Sequence, residues 1–196
     1  MDHMLRRQIE KIVPLTDSEF DHVLSFFVKK KYRKHQFVIQ QGDPVNYEYF
    51  VVSGLLKSYI LDESGKMYIM QFAMEDWWFS DYTAYLNGAV ANSFADCLED
   101  SELLGITKEN KDKLCREMHK IEHFFRVKSN YGYVALQRRI FSLLCNDTQK
   151  KYNELFELYP SLFQRVPKAL LAAYIGVSRE TLSRLSISSG RKTQED

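Results

Sequence analysis

The stretch that most constrains this chain is residues 166–185, Val-Pro-Lys-Ala-Leu-Leu-Ala-Ala-Tyr-Ile-Gly-Val-Ser-Arg-Glu-Thr-Leu-Ser-Arg-Leu. Its periodicity predicts a helix, a short turn and a second helix. Leu170, Leu171 and Ile175 fall on one helical face, and Ala172 is small enough for a second helix to cross close by. Gly176, four residues after Ala172, stands where the first helix must stop and positive φ is needed. Ser178 suits the N-cap of the second helix, whose inward stripe is Leu182 and Leu185. Small residue, glycine, capping serine and leucine at these offsets form a helix-turn-helix pattern. Outward on the second helix stand Arg179, Glu180, Ser183 and Arg184. An arginine can bond bidentately to the O6/N7 edge of guanine, and a glutamate can accept from the amino group of cytosine.

The rest of the chain has to be compatible with that element. Its 196 residues suffice for one large domain or two small ones. Net charge is +1 overall but unevenly placed: residues 138–196 hold 10 Lys/Arg against 6 Asp/Glu, and residues 1–137 hold 17 against 20. The basic end therefore coincides with the helix-turn-helix pattern, as a phosphate-contacting module requires. No apolar run has the length of a membrane span, since residues 51–61 are broken by Lys57 and residues 67–79 by Glu75 and Asp76. The N-terminus lacks the apolar core of a secretion signal. Cys97, Cys115 and Cys145 are odd in number and widely spaced, which suggests reduced thiols in a cytoplasm and makes no metal or iron–sulfur motif. His119 and His123 are four apart, but no third ligand lies nearby. No metal and no cofactor is expected.

Taken in order, Thr16 with Glu19 makes a capping box for a helix striped by Phe20, Val23, Leu24 and Phe27. Residues 29–34 carry five basic side chains, Lys29, Lys30, Lys31, Arg33 and Lys34, and read as a solvated turn. From about Gln36 to Ile106 the texture changes to short β-like runs: Phe37–Ile39, residues 49–52, residues 55–61 and Met67–Ala73. Turn residues separate them, Gln41-Gly42-Asp43-Pro44, Ser53-Gly54 and Asp62-Glu63-Ser64-Gly65-Lys66. Such spacing indicates an antiparallel sandwich or barrel. Residues 107–118 then read as a short helix capped by Thr107, and residues 117–135 as a longer one. Ile121, Phe124, Phe125, Lys128, Tyr131, Gly132 and Ala135 lie along one side of it, a seam suited to a symmetric dimer. A helix over residues 138–147 and another over 152–163 complete the chain, with the domain boundary near residues 133–137.

At this point a family resemblance becomes specific. Ser178-Arg179-Glu180-Thr181-Leu182-Ser183-Arg184 resembles the recognition helix of the CRP/FNR transcription regulators. Tyr159-Pro160 and Gln164-Arg165-Val166-Pro167 are similar to the lead-in of the family's Bacteroidetes-type branch. Gln41-Gly42-Asp43 and Val51-Val52-Ser53-Gly54 resemble its two glycine turns, so the resemblance covers nearly the whole chain. It implies an α+β architecture. An N-terminal antiparallel β-roll (jelly-roll) with flanking helices would occupy residues 1–116 as a sensor domain like the cyclic-nucleotide-binding domain. A dimerisation helix would span 117–136, and a helix-turn-helix, winged-helix-like domain 137–196. It implies base contacts by Arg179, Glu180, Ser183 and Arg184, and phosphate contacts by Lys168, Ser178 and Thr181. The implied partners are a near-palindromic DNA duplex, a second copy of the chain, RNA polymerase and an unidentified small-molecule effector, in the cytoplasm.

The sequence departs from the family at the roll. Nucleotide-binding members carry Gly-Glu-Leu, whose Glu bonds the ribose, and then Arg-Ser/Thr, whose Arg neutralises the phosphate. Here the corresponding residues are Asp76-Trp77-Trp78-Phe79-Ser80-Asp81 and Val90-Ala91-Asn92-Ser93, with no arginine between Arg33 and Arg116. A buried phosphate without a cation is costly, so cyclic AMP is not expected in the usual pocket. Trp77, Trp78, Phe79, Tyr82, Tyr85, Asn92 and Ser93 are candidates to line an effector cavity, although core packing is the favoured role of the aromatics. Two other readings compete. In one, the chain is a ligand-sensing roll with weakened or lost DNA binding, because Ser186, Ser188, Ser189 and Gly190 discourage a helix after Leu185. In the other it is a metal-dependent jelly-roll enzyme, which the absence of histidine from residues 36–118 opposes. No catalytic constellation is found, and no enzyme is expected.

Overall fold

The computed structural model describes residues 3–192, with side chains described through Leu185. It divides into two compact units at Tyr131/Gly132, with Leu61–Ile69 belonging to the second.

The first unit begins with α1 (His3–Glu10) and α2 (Asp17–Ser25). The capping box forms as expected: Thr16 accepts from the Glu19 N–H, and the Glu19 carboxylate accepts from the Thr16 N–H. The strands are β1 (Val28–Tyr32), β2 (Phe37–Ile39), β3 (Glu48–Ser53), β4 (Leu56–Leu61), β5 (Met67–Ala73), β6 (Trp78–Phe79), β7 (Phe94–Cys97) and β8 (Ser101–Ile106). They form two four-stranded sheets, ordered β1-β8-β3-β6 and β2-β7-β4-β5, with non-consecutive neighbours throughout most of each sheet. This is the antiparallel roll that the turn spacing indicated. Most of the basic run is strand, and only Arg33 and Lys34 lie in the loop and turn after it. Residues Val28 to Tyr32 pair with Gly105 to Ser101 as a sheet edge, where lysines keep the open side of the strand in water.

Gly54 shows why one of the two glycine turns has no alternative. Its φ is +103°, and a Cβ there would lie 2.2 Å from the Ser101 hydroxyl oxygen and 2.7 Å from the Asp100 carbonyl. A short helix, α3 (Tyr82–Asn87), is inserted after β6; Asp81 caps it and Gly88, with φ 64°, ends it. α4 (Lys108–Glu117) is capped by Thr107 as expected. Two apolar clusters fill the unit. One joins Leu5, Ile9, Phe20 and Val23 to Phe50, Trp78, Leu114, Ile121, Phe124 and Phe125. The other lies inside the roll around Tyr49, Val51, Phe79, Tyr85, Ala95 and Cys97.

The longest helix, α5 (His119–Cys145), corrects the expected boundary. Two helices with a break near residues 133–137 were expected. Nothing there stops a helix: proline is absent, and Gly132 costs only about 1 kcal/mol against alanine. The stop comes at Asn146-Asp147, where Asp147 caps α6 (Thr148–Leu158) by accepting the Lys150 N–H at 2.8 Å. The helix expected over 152–163 is in fact two, because Pro160 cannot continue α6 and instead occupies the first turn of α7 (Pro160–Arg165). α8 (Lys168–Ile175) and α9 (Arg179–Lys192) follow. Every described element after Gly132 is helical, so no wing strand is present among the described residues 132–192. α9 continues through Gly190 to Lys192, which overturns the expectation of an early stop after Leu185. The rest of the expected tail, residues 193–196, lies outside the described residues.

Candidate nucleic-acid interface

The helix-turn-helix is built as its sequence demands. Leu171, Ala172 and Ile175 of α8 and Leu182 of α9 are buried, and Leu170 is half-buried. At the turn, Gly176 has φ 86°, and the N–H groups of Gly176 and Val177 both donate to the Ala172 carbonyl at 2.9 Å. A Cβ at Gly176 would meet nothing within 4 Å, so the requirement is conformational rather than spatial. Gly176→Val is therefore expected to cost about 1–3 kcal/mol, the strain of a β-branched residue in the left-handed region. Thermal unfolding of the second unit measures it, with Val177→Ala as control.

Ser178 caps α9: its Oγ accepts the Thr181 N–H at 3.2 Å and lies 3.1 Å from the Thr181 hydroxyl. Both hydroxyls assigned to phosphates are thus already paired with each other. Arg179, Glu180 and Arg184 are exposed, and Ser183 is half-buried. At about 100° per residue, these four occupy an arc of roughly 140° on the side away from Leu182. Glu180 does not project freely. Its carboxyl is held below the usual range by its own backbone N–H and by the Ser178 hydroxyl, at the positive end of the helix. Lys168 is exposed on the first turn of α8. The outward face thus presents two arginines and a carboxylate folded back on the helix start.

The seven residues assigned to a dimer seam divide. Ile121, Phe124 and Phe125 are buried against their own roll. Lys128 also turns inward: it pairs with Glu48 and sits 4.0 Å over the Trp78 ring. Tyr131, Gly132 and Ala135 are exposed. The same helix exposes Tyr133, Leu136, Ile140 and Leu144.

The effector candidates do not share one wall either. Trp78 belongs to the helical cluster, while Phe79 and Tyr85 lie inside the roll and Trp77 packs against that interior. Phe79 stacks on Tyr49 at 5.3 Å, and the Tyr85 hydroxyl donates to the Ile106 carbonyl. Packing, not a shared cavity, occupies these rings. Tyr82 donates to Glu48 at 3.1 Å. Ser93 and Asn92 are drawn to Asp81, whose carboxylate accepts from the Ser93 hydroxyl at 2.8 Å, the Asn92 N–H at 3.0 Å and the Ala84 N–H at 3.2 Å. Burial works against the charge of Asp81, but these donors outweigh it and hold the carboxyl below its ordinary range.

Asp81 was not singled out from the sequence, nor was the buried cluster around Glu48. Glu48 is fully buried and pairs with Lys111 at 2.6 Å and with Lys128. The available signal was one acid in the run Tyr47-Glu48-Tyr49-Phe50-Val51-Val52, a place where charge has to be paired. Among the described residues no group of three His, Cys, Asp or Glu side chains is placed to hold a metal ion. No described helix is long and apolar enough to cross a membrane.

The chain thus contains an antiparallel roll and, after it in sequence, a helix-turn-helix. Residues 29–118 match the cyclic nucleotide-binding domain family. The regulatory protein HlyX of Actinobacillus pleuropneumoniae is 27% identical over 173 residues, covering 80% of this chain and 69% of that protein. The fumarate and nitrate reduction regulatory protein of Vibrio cholerae is 27% identical over 186 residues, covering 87% of this chain and 72% of that protein. The structure of FixK2 from Bradyrhizobium japonicum shares the fold, with a TM-score of 0.73 at 17% identity over 85% of this chain and 86% of that one. The chain is thus similar in sequence to these two regulatory proteins and in fold to FixK2.

Proposed function

We propose that this chain is a homodimeric, sequence-specific DNA-binding transcription regulator of the CRP/FNR type, acting in the cytoplasm and not responding to cyclic AMP through the usual pocket. The observation that carries the reading is the formed helix-turn-helix, with Arg179 and Arg184 exposed on the outer face of a helix seated by Leu182. Two such helices would enter successive major grooves about 34 Å apart. Arg179 and Arg184 read guanines, with Ser183 beside them on the same arc. Glu180 reads a cytosine once its carboxylate leaves the helix start. Lys168, Ser178 and Thr181 position the backbone. Arg179→Ala is expected to cost about 1–3 kcal/mol and to relax specificity at one base pair. Titration of wild type and mutant against single-base variants of the best site is the check, and a uniform loss across all variants contradicts the base-reading role.

The dimer seam in this reading takes in Tyr131, Gly132 and Ala135, the exposed end of the expected stripe, rather than Ile121. On another face of α5, Tyr133, Leu136, Ile140 and Leu144 are exposed at spacings of three and four, the period of a two-helix seam.

Three facts support the absence of a cyclic AMP response. The chain has no arginine between Arg33 and Arg116, no Gly-Glu pair precedes α3, and Asp81 already engages the donors at Ala84, Asn92 and Ser93. The internal carboxylate would repel a cyclic phosphate at those donors. Calorimetric titration with cyclic AMP is expected to show no saturable heat; tight binding that Asp81→Asn leaves unchanged would contradict this. RNA polymerase and a different small-molecule effector complete the proposed partners.

A further inference from the structure

We propose that the cleft between α5, α6 and α8 in the second unit is a binding site for a small phosphate-like oxyanion. Its lining includes Arg138, Arg139, Lys151, Glu154, Tyr159 and Tyr174. The charge there does not balance. Arg139 lies 3.7 Å over the Tyr174 ring and donates to the Tyr174 carbonyl. Among the described residues neither it, Arg138 nor Lys151 has a carboxylate within ion-pair distance. Glu154 is the one acid in the lining, and it is already committed: its carboxylate accepts from the Ser142 hydroxyl at 2.6 Å and from the Asn146 amide at 3.2 Å. Three cations from two helices thus face one cleft that holds a single carboxylate, Glu154, which is near enough to favour the charge of Arg139 but cannot balance all three.

Burial disfavours the charge of Arg139 more than Tyr174 and Glu154 favour it, and an anion placed between the two helices would offset that cost. Guanidinium groups and an ammonium approaching from different sides suit a compact oxyanion with several acceptor oxygens. The consequence reaches the helix-turn-helix. Tyr174, against which Arg139 packs, stands two residues before Gly176, so an anion held on Arg138, Arg139 and Lys151 would tie α5 and α6 to the helix that carries the turn.

The test uses the full chain without DNA, so it stands apart from the regulator reading. Inorganic phosphate is titrated at constant ionic strength, set with chloride, and followed by calorimetry and by the thermal midpoint. Wild type is expected to bind saturably, and Arg138→Ala/Lys151→Ala at least tenfold more weakly. Arg138→Lys/Lys151→Arg should restore binding, and circular dichroism should match wild type in both. A response equal in wild type and the alanine variant, or none in wild type, overturns the proposal.

Discussion

Replacing Glu48 by glutamine is expected to destabilise the first unit by about 3–5 kcal/mol, the cost of breaking a buried ion cluster from one side. Glu48 is wholly buried, and three groups converge on it: Lys111 from α4, Lys128 from α5 and the Tyr82 hydroxyl from α3. Without the carboxylate, Lys128 would face the Trp78 ring and Lys111 the Phe125 ring with no anion between them. Chemical denaturation followed by tryptophan fluorescence reads this unit alone, since both tryptophans, Trp77 and Trp78, lie in it. Adding Lys128→Met to Glu48→Gln should return part of the loss, because a methionine in an apolar wall needs no partner. The pH dependence has a definite sign. Burial pushes the Lys128 amine down from 10.5 to about 8, against the pull of Glu48. Between those values the unfolded chain binds the extra proton, so this group makes the unit more stable as pH rises through the window, and Lys128→Met should flatten the slope. Equal stability of Glu48→Gln and wild type at pH 7 would refute the account of the cluster.

Leu182→Ala should have the largest effect on the second unit, about 2–5 kcal/mol. Leu182 is 2% exposed and is the inward anchor of α9, the helix that carries the two arginines. The tryptophans do not report on it, so the loss should appear in helical circular dichroism as an earlier transition while the fluorescence transition stays in place. DNA affinity should fall with it, because the recognition face is held only as long as α9 is seated. Wild-type affinity in Leu182→Ala would mean that this leucine does not set the position of the helix.

The legible parts of this chain were those governed by local chemistry. Thr16 with Glu19, Thr107, Gly176 and Ser178 each act through a backbone group a few residues away, and each stands where the sequence placed it. The strand at Phe37–Ile39 and the strand at Met67–Ala73 were readable because turn residues bracket them. The strand at Val28–Tyr32 was not, since at a sheet edge lysines serve water on one side and pairing on the other. The helices at His3–Glu10 and Tyr82–Asn87 escaped because each is only two turns or so and depends on burial for its stability. The division of the apolar face of α5 was not legible for a similar reason. Periodicity shows that a face of α5 is apolar, but not that its first half, from Ile121 to Lys128, is consumed by the chain's own roll. Asp81 with Asn92, Arg139 with Tyr174 and Glu48 with Lys128 join residues 11, 35 and 80 positions apart, and no local pattern encodes such pairings.

The most direct test of the regulator reading is selection of bound duplexes from a random DNA pool by the purified full chain, repeated with Arg179→Ala. The account predicts a two-fold-symmetric motif with half-sites one helical turn apart, in which one base pair of each half-site loses definition in the mutant. Failure to enrich any motif, with equal weak retention of all sequences, would contradict it and leave a sensing roll whose helix-turn-helix does not read DNA.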